Sequence, residues 1–264
     1  STRAAWVCRP STLPAEHGRS RHAGRSRPST GSARSGAGTI RPVPQHPLLD
    51  DALTTLDAVE AVARAGEAAL MPYFRKLEPG DVDHKAKNDL VSVADRASEA
   101  AILAEIQRRF PGHAVLAEES GRIEGEDQRA VWIVDPIDGT TNFVSGMAHF
   151  SVSVGLALDG ELAFGVILDP AKGDCFRAAR GHGATGNGAD CRVTGRPSLA
   201  GAVVGTGFPF KSHELLDEYL AIFKDVFMEV KSIRRPGSAA LDLAYVAAGI
   251  FDGFFEFGLS AWDV

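Results

Sequence analysis

The spacing of apolar residues divides most of the chain into helical and extended segments. Apolar residues recur every three or four positions over residues 48–77 and again over residues 96–110, which predicts two amphipathic helices. Asp95 stands immediately before the second of these and is predicted to cap it. Two further helices are predicted over residues 215–227 and 239–248.

Extended segments make up much of the remaining pattern. Residues 150–158 and 161–168 both alternate between apolar and polar positions, and Asp159-Gly160 between them is a hairpin signal. Shorter strands are predicted over residues 113–117, 131–134, 175–178, 202–206 and 251–257. Helices mixed with long extended segments predict the α+β or layered α/β class.

Residues 1–45 differ from the rest of the chain in composition. They contain eight arginines and one acidic residue, a net charge of +7, whereas the remainder carries −13 and brings the whole chain to −6. An Arg-, Ser-, Gly- and Pro-rich segment without apolar periodicity predicts a disordered extension, whether non-native, targeting or a nucleic-acid-binding arm. The acidic remainder, residues 46–264, is predicted not to bind nucleic acid, because phosphate backbones attract a basic face.

The cysteines and the longest apolar runs predict a location. Cys8, Cys175 and Cys191 are odd in number and widely spaced, which suggests neither a disulfide framework nor a zinc site. No apolar run approaches the ~18 residues that indicate a membrane span. We therefore expect a reducing, cytoplasmic environment and no membrane association.

Two carboxylates at the end of an apolar run are the strongest chemical signal in the chain. Residues 131–134 read as a buried strand, and Asp135 and Asp138 follow directly. Two buried carboxylates are unfavourable unless a cation compensates them, and oxygen ligands suit Mg²⁺. Taken alone, this segment could equally be an ordinary turn after a strand. Glu118 and Asp263, which also follow apolar segments, favour the metal site.

Residues next to the two carboxylates suit phosphate chemistry. The turn at Asp138-Gly-Thr offers backbone N–H groups that can cradle phosphate oxygens. Thr140 and Asp95 can form a hydroxyl–carboxylate pair that orients an attacking water. Two or more metal ions near one phosphate would polarise it and activate that water. The pattern therefore predicts a metal-dependent phosphate-ester site.

Several separated motifs together resemble the inositol monophosphatase family, within the lithium-sensitive, magnesium-dependent phosphatase superfamily. The resemblance extends from about residue 50 to residue 264, with the motifs in the family's order. They are Asp89-Leu-Val-Ser-Val-Ala-Asp95, Ala117-Glu-Glu-Ser120, Trp132-Ile-Val-Asp-Pro-Ile-Asp-Gly-Thr-Thr-Asn-Phe143, Gly237-Ser-Ala-Ala240 and Trp262-Asp263. The resemblance implies an α-β-α-β-α sandwich of the sugar-phosphatase type, commonly dimeric, with two or three Mg²⁺ ions.

The resemblance also implies roles for individual metal ligands and catalytic groups. It assigns the first metal to Glu118, Asp135 and the carbonyl of Ile137. It assigns the second metal to Asp135, Asp138 and Asp263, with a third, weaker ion near Glu118. Thr140 with Asp95 would activate the attacking water, and Glu118 belongs to the catalytic set.

Substrate contacts follow from the same resemblance. It assigns the phosphate to Gly139 and Thr140, the polyol to Ser238, Ala239 and Glu256, and a substrate contact to Asp138. A loop lysine is also implied, for which Lys85 fits best and Lys87 is the alternative.

One departure from the family pattern concerns the end of the chain. Family members usually continue well beyond the Trp-Asp motif, whereas this sequence stops at Val264. We therefore expect an incomplete C-terminal portion, with Asp263 in a frayed segment that holds its metal weakly.

The function that these features predict is a Mg²⁺-dependent phosphomonoesterase that hydrolyses inositol monophosphate or a related polyol phosphate, as a homodimer. Alternative substrates are fructose 1,6-bisphosphate, histidinol phosphate, NADP and 3′-phosphoadenosine phosphate. A different class of function, a non-catalytic regulatory protein that binds transcription machinery on the same fold, is the second reading.

Overall fold

The computed structural model describes residues 46–86 and 89–264. The predictions made for residues 1–45, and for Lys87 as a loop contact, lie outside these residues. The helices are α1 (Ala52–Leu70), α2 (Val93–Arg109), α3 (Thr140–Val144), α4 (Leu216–Glu229) and α5 (Ala239–Ala247). The strands are β1 (Val82–Ala86), β2 (Asp89–Ser92), β3 (His113–Ala117), β4 (Gly121–Ile123), β5 (Asp127–Asp138), β6 (Ser151–Leu158), β7 (Glu161–Asp169), β8 (Asp174–Ala179), β9 (Gly183–Gly186), β10 (Ala189–Asp190), β11 (Val203–Thr206), β12 (Ser232–Arg234) and β13 (Gly253–Phe255).

Most strands belong to one large mixed sheet. Its order is β10-β9-β8-β7-β6-β5-β3-β4, in which β3 and β5 are parallel and the other neighbours are antiparallel. A second sheet, of order β12-β11-β13, is parallel throughout. β1 and β2 form a separate antiparallel pair.

Helices separate and cover the two sheets. α1 and α2 contact each other and the large sheet, with Ile102 of α2 against Gly66 of α1. α5 contacts β6 and β7 on one side and β11 and β13 on the other. Neighbouring residues of a strand point to opposite faces of the sheet. In β11, Thr206 contacts Tyr219 of α4, whereas Gly205 faces Phe251, which packs beside α5. α4 and α5 therefore cover opposite faces of the second sheet. The order is therefore helix, sheet, helix, sheet, helix, as expected.

The first two helices differ from their predicted bounds. The first helix spans only Ala52–Leu70, since residues 47–49 and 71–73 form short 3₁₀ turns, each containing a proline near its start. The second helix begins at Val93, three residues before its predicted start, and Ser92 is its N-cap. The prediction that Asp95 is the N-cap is wrong: its carboxylate reaches back from the first turn and accepts the Ser92 N–H at 2.8 Å.

β5 is longer than its apolar run. Residues 121–130 are mostly polar, yet they contain β4 and the first part of β5. Trp132 is fully buried and donates a hydrogen bond from its indole N–H to His113 at 3.1 Å. β5 is thereby fixed in the centre of the large sheet, and its C-terminal end carries Asp135 and Asp138.

Candidate metal and phosphate site

The turn at the end of β5 places two carboxylates below an open cleft. Asp135 and Asp138 are 2% and 8% exposed. The Ile137 N–H donates to Asp135 at 3.0 Å, and Ser98 of α2 donates to the carbonyl of Pro136 at 3.0 Å. These bonds fix the backbone that carries both carboxylates.

Glu118 reaches the same place from the neighbouring parallel strand. β3 ends beside β5, and the Glu118 N–H donates to the Val134 carbonyl at 3.1 Å. Its carboxyl group interacts with Asp135. The loop is held from behind by Glu99 of α2, a buried carboxylate that accepts the N–H of Glu119 at 2.9 Å and the Ser120 hydroxyl.

Asp138 joins the turn to α5. Its carboxylate accepts the Ser238 hydroxyl at 2.6 Å, the Ser151 hydroxyl at 3.2 Å, and the N–H groups of Ala239 and Ala240 at 3.2 and 2.8 Å. Ser238 is the N-cap residue of α5, but its side chain does not cap the helix. Asp138 satisfies the first N–H groups of α5 instead, from 101 and 102 residues earlier in the chain.

Asp263 completes a cluster of carboxylates. One oxygen each from Asp135, Asp138 and Asp263 lies within 4.8 Å of the others. The Asp263 carboxylate also accepts the N–H of Ser260 at 2.6 Å, in a 3₁₀ turn over Ala261–Asp263. Its position depends on this turn and on the carboxylates around it.

The pKa values show that these carboxylates repel one another. Burial, followed by the charges of Glu118, Asp138 and Asp263, raises the pKa of Asp135 well above its ordinary value. Burial raises the pKa of Asp138, although its four hydrogen bonds oppose the change. Burial also raises the pKa of Asp263 to about 6, with a contribution from Asp138. Converging buried carboxylates whose charges repel one another fit hard divalent cations such as Mg²⁺.

The raised pKa values predict how stability varies with pH. Burial, followed by the charge of Asp138, raises the pKa of Glu256 to about 8. A carboxyl group with a higher pKa in the folded state binds more protons when folded, so it stabilises at low pH and loses this contribution as the pH rises. Without metal, we expect the melting temperature to fall between about pH 4 and pH 8 as Asp263 and then Glu256 ionise. Mg²⁺ should restore it increasingly towards pH 8.

Thermal melts with Mg²⁺ or with a chelator, across that pH range, test this prediction. Glu105 and Asp252 provide an internal contrast, because hydrogen bonds from Arg108 and Thr194 lower the pKa of each to about 2. Their stabilisation is present above the unfolded pKa and is lost only as the pH falls below about 4. A metal-free melting temperature that rises from pH 5 to pH 8 would contradict the prediction.

Thr140 and Asp95 form the hydroxyl–carboxylate pair that the sequence suggests. The Thr140 hydroxyl is 3.1 Å from a carboxylate oxygen of Asp95 and 3.0 Å from the carbonyl of Ile137. Asp95 is fully buried, and Thr140 lines the cleft. Gly139 between the turn and Thr140 has φ +95°, and a Cβ there would lie 3.0 Å from the Gly237 carbonyl, so glycine is required.

The cleft above the carboxylates has a volume of about 550 Å³. Its floor contains Glu118, Asp135, Asp138, Thr140 and Asp263. It is also lined by the segment Phe208-Pro-Phe-Lys-Ser212, by Arg235 and by Glu256 to Ser260. Acidic and basic groups therefore face the same space.

Glu256 reaches the cleft because residue 207 has no side chain. A methyl group at Gly207 would overlap the Glu256 carboxyl group. We expect Gly207→Ala to displace this carboxyl and to lower kcat/KM for a polyol phosphate by about tenfold to a hundredfold. The affinity for Mg²⁺ should change little, because Glu256 is not a member of the carboxylate cluster. Gly165→Ala is the control, since a methyl group there meets open space; equal losses from both would contradict this role.

Not every predicted substrate residue faces the cleft. Ser238 is 1% exposed and directs its hydroxyl to Asp138, so its side chain supports a predicted metal ligand. Ala239 lines the cleft, and its N–H is also directed to Asp138. Lys85 lies in β1, and its predicted contact with substrate stays a prediction.

Four residues of the site were missed by reasoning from the sequence: Glu99, Ser151, Gly207 and Arg235. Glu99 lies within a helical stretch where a solvated glutamate is the ordinary expectation. For Ser151 and Arg235 no local signal exists. Gly207 follows a predicted strand, and an isolated glycine there indicates a close approach of another group.

Comparisons with known proteins agree with the motifs. A family model described as the inositol monophosphatase family matches residues 51–264. The extragenic suppressor protein suhB from Bartonella henselae superimposes with a TM-score of 0.76 at 40% identity, covering 80% of this chain and 81% of that one. Inositol monophosphatase from Anabaena superimposes with a TM-score of 0.71, also at 40% identity, covering 81% and 79%. These structures confirm the layered α/β fold class.

A third relative has a different kind of name. Nus factor SuhB from Pseudomonas aeruginosa is 46% identical over 214 residues, which cover 78% of this chain and 78% of that protein.

Within the described ranges, none of the helices is both long enough and apolar enough to span a bilayer.

Proposed function

Because this chain belongs to the inositol monophosphatase family, we propose that it is a Mg²⁺-dependent phosphomonoesterase acting on inositol monophosphate or a related polyol phosphate. The observation that carries the proposal is the group of buried carboxylates, Asp135, Asp138 and Asp263, at the floor of an open cleft. Their raised pKa values indicate a site that needs cations to neutralise it.

The proposed ligands follow the sequence prediction. Glu118, Asp135 and the Ile137 carbonyl would hold one ion, Asp135, Asp138 and Asp263 a second, with a weaker third near Glu118. Bound Mg²⁺ would polarise the phosphoryl group, lower the pKa of the attacking water and stabilise the leaving oxygen.

Residues of the protein orient the attacking water and bind the substrate. Asp95 accepts a hydrogen bond from the Thr140 hydroxyl, so the Thr140 oxygen can accept a hydrogen bond from the attacking water and orient it. A new bond forms between that water's oxygen and phosphorus, and the ester P–O bond breaks to give inorganic phosphate and the free alcohol. The N–H groups at Gly139 and Thr140 contact the phosphate, and Glu256 contacts hydroxyl groups of the alcohol.

Release of inorganic phosphate from a panel of esters, with and without Mg²⁺, tests the function. The panel contains inositol 1-phosphate, fructose 1,6-bisphosphate, histidinol phosphate, NADP and 3′-phosphoadenosine phosphate. Mg²⁺-dependent release, inhibited by Li⁺, is expected for at least the first. The absence of metal-dependent release from every ester would remove the proposal. Sedimentation of the same preparation tests the proposed homodimer.

A second candidate function rests on the 46% identity to Nus factor SuhB. A regulatory role in transcription would require binding to a component of the transcription machinery, and biolayer interferometry with purified RNA polymerase is one test of it. Asp135→Asn should greatly reduce phosphatase activity and leave such binding intact. Strong binding together with a complete lack of phosphatase activity would favour the second candidate over the first.

A further inference from the structure

Arg235 lines the cleft, and the proposed reaction gives it no role. Every other arginine of the described ranges donates a hydrogen bond from its guanidinium group. Arg235 is the exception in those ranges, with no hydrogen bond and no ion pair, although it lies in the same cleft as Asp135 and Glu256. A planar cation with five N–H donors in a ligand cleft is suited to bind a carboxylate or a phosphate.

The Arg235 guanidinium lies over two aromatic rings. Its central carbon is 5.3 Å from the ring centre of Phe210 and 5.9 Å from that of Phe208. One of its terminal nitrogens lies beside Gly237, where a Cβ would be 2.7 Å away. The attraction of a cation to an aromatic ring does not use the N–H groups as donors, so these groups of the exposed Arg235 side chain are available to an anion.

Compensation of the Glu256 charge is the simpler explanation for a cation at this position. Arg235 does lower the pKa of Glu256, against the larger effect of burial. The two side chains nevertheless form no ion pair and no hydrogen bond. A residue retained to neutralise a buried carboxylate would be expected to pair with it directly, so charge compensation does not account for the stacked geometry.

The size of the cleft leaves room for a second charged group. Its volume of about 550 Å³ falls within the roughly 300–1,000 Å³ of clefts that hold drug-sized ligands. The carboxylate cluster with the Gly139–Thr140 turn would take the phosphate that is hydrolysed, and Arg235, which lines the same cleft, is not among the residues proposed to hold that phosphate. We infer that the preferred ester carries, besides the phosphate that is released, a second anionic group that Arg235 binds. This inference rests on the proposed phosphatase function.

Three sugar phosphates that differ only at carbon 6 test the inference. Glucose 1-phosphate has no second anion, glucose 1,6-bisphosphate has a phosphate at carbon 6, and glucuronic acid 1-phosphate has a carboxylate there. We expect kcat/KM for loss of the 1-phosphate to be about tenfold to a hundredfold higher for at least one dianionic ester than for glucose 1-phosphate. Whichever ester gains more identifies the second anion as a phosphate or a carboxylate.

Variants at two adjacent arginines assign the effect. Arg235→Ala should bring kcat/KM for the ester with a second anionic group close to kcat/KM for glucose 1-phosphate, so that their ratio is near one. Arg235→Lys should retain part of the preference. Arg234→Ala is the matched control, because Arg234 donates to Ser232 and to the Ile233 carbonyl and does not line the cleft. It should leave the ratio unchanged.

Several results would overturn the inference without touching the phosphatase proposal. One is a kcat/KM ratio near one in the wild-type protein. Another is a high ratio that Arg235→Ala leaves unchanged, or that Arg234→Ala lowers as much as Arg235→Ala does. Calorimetric binding of the three esters gives a readout that does not depend on turnover. If no ester is hydrolysed the phosphatase proposal fails, whereas equal affinities for all three esters remove the inference.

Discussion

Asp135→Asn should reduce phosphate release by about a thousandfold and at the same time raise the melting temperature of the metal-free protein. The loss follows because Asp135 is proposed to bind both principal ions, and several kcal/mol of metal stabilisation correspond to about three powers of ten in rate. The gain follows because asparagine removes a buried charge that Glu118, Asp138 and Asp263 repel. The Asn oxygen can still accept the Ile137 N–H.

Asp169→Asn is the control for the change in stability. Asp169 is also fully buried, but it pairs with Lys172 and accepts the N–H groups of Ala171 and Lys172. The same substitution should therefore lower the melting temperature there, since it leaves the lysine without its partner. Phosphate release and thermal melts of both variants, with and without Mg²⁺, check the prediction. A metal-free Asp135→Asn protein less stable than the wild type would contradict it.

Thr140→Val should lower kcat by about a hundredfold to ten-thousandfold while leaving the affinity for Mg²⁺ nearly unchanged. Valine keeps the shape of threonine but cannot link the attacking water to Asp95, whose carboxylate lies 3.1 Å from the Thr140 hydroxyl. Thr140→Ser keeps the hydroxyl and should retain most of the activity. Steady-state kinetics at several Mg²⁺ concentrations separate kcat from metal binding.

Ser98→Ala controls for damage to the turn that carries the site. The Ser98 hydroxyl donates to the Pro136 carbonyl at 3.0 Å, so it supports the same backbone without lining the cleft. Its removal should cost about 1 kcal/mol of stability and leave kcat within a few-fold of the wild type. If Thr140→Val and Ser98→Ala reduce kcat equally, Thr140 acts through the structure of the turn and has no direct role.

The local parts of this site could be predicted from the sequence. An apolar run that ends at Asp135 and Pro136 indicates a buried strand followed by a turn, and the spacing of Asp135 and Asp138 indicates a cation. The beginning of α2 was misplaced because Ser92 and Asp95 are both capping residues, and the structure uses them together in one capping box. Ser92 and Asp95 are three residues apart, which is the spacing of a capping box, so the sequence does indicate where α2 begins.

The long-range parts could not be predicted in the same way. Asp138 accepts the first N–H groups of a helix about a hundred residues later, and no local pattern indicates that pairing. Likewise, Glu99 in the middle of α2 is indistinguishable in sequence from a solvated glutamate. The stacking of Arg235 on Phe210 depends on the approach of two separate loops, which is a property of the tertiary structure.

The hydrogen bonds of Asp138 affect how a catalytically active family member can be distinguished from a relative that has lost catalytic activity. Asp138 holds the first turn of α5 and two serine hydroxyls, so a protein without catalytic activity would still need it to fold. Asp135 contributes less to the fold, since its carboxylate accepts the Ile137 N–H and lies against the like charges of Glu118, Asp138 and Asp263, which raise its pKa. The presence of Asp135 in a relative would therefore be better evidence of a retained metal site than the presence of Asp138.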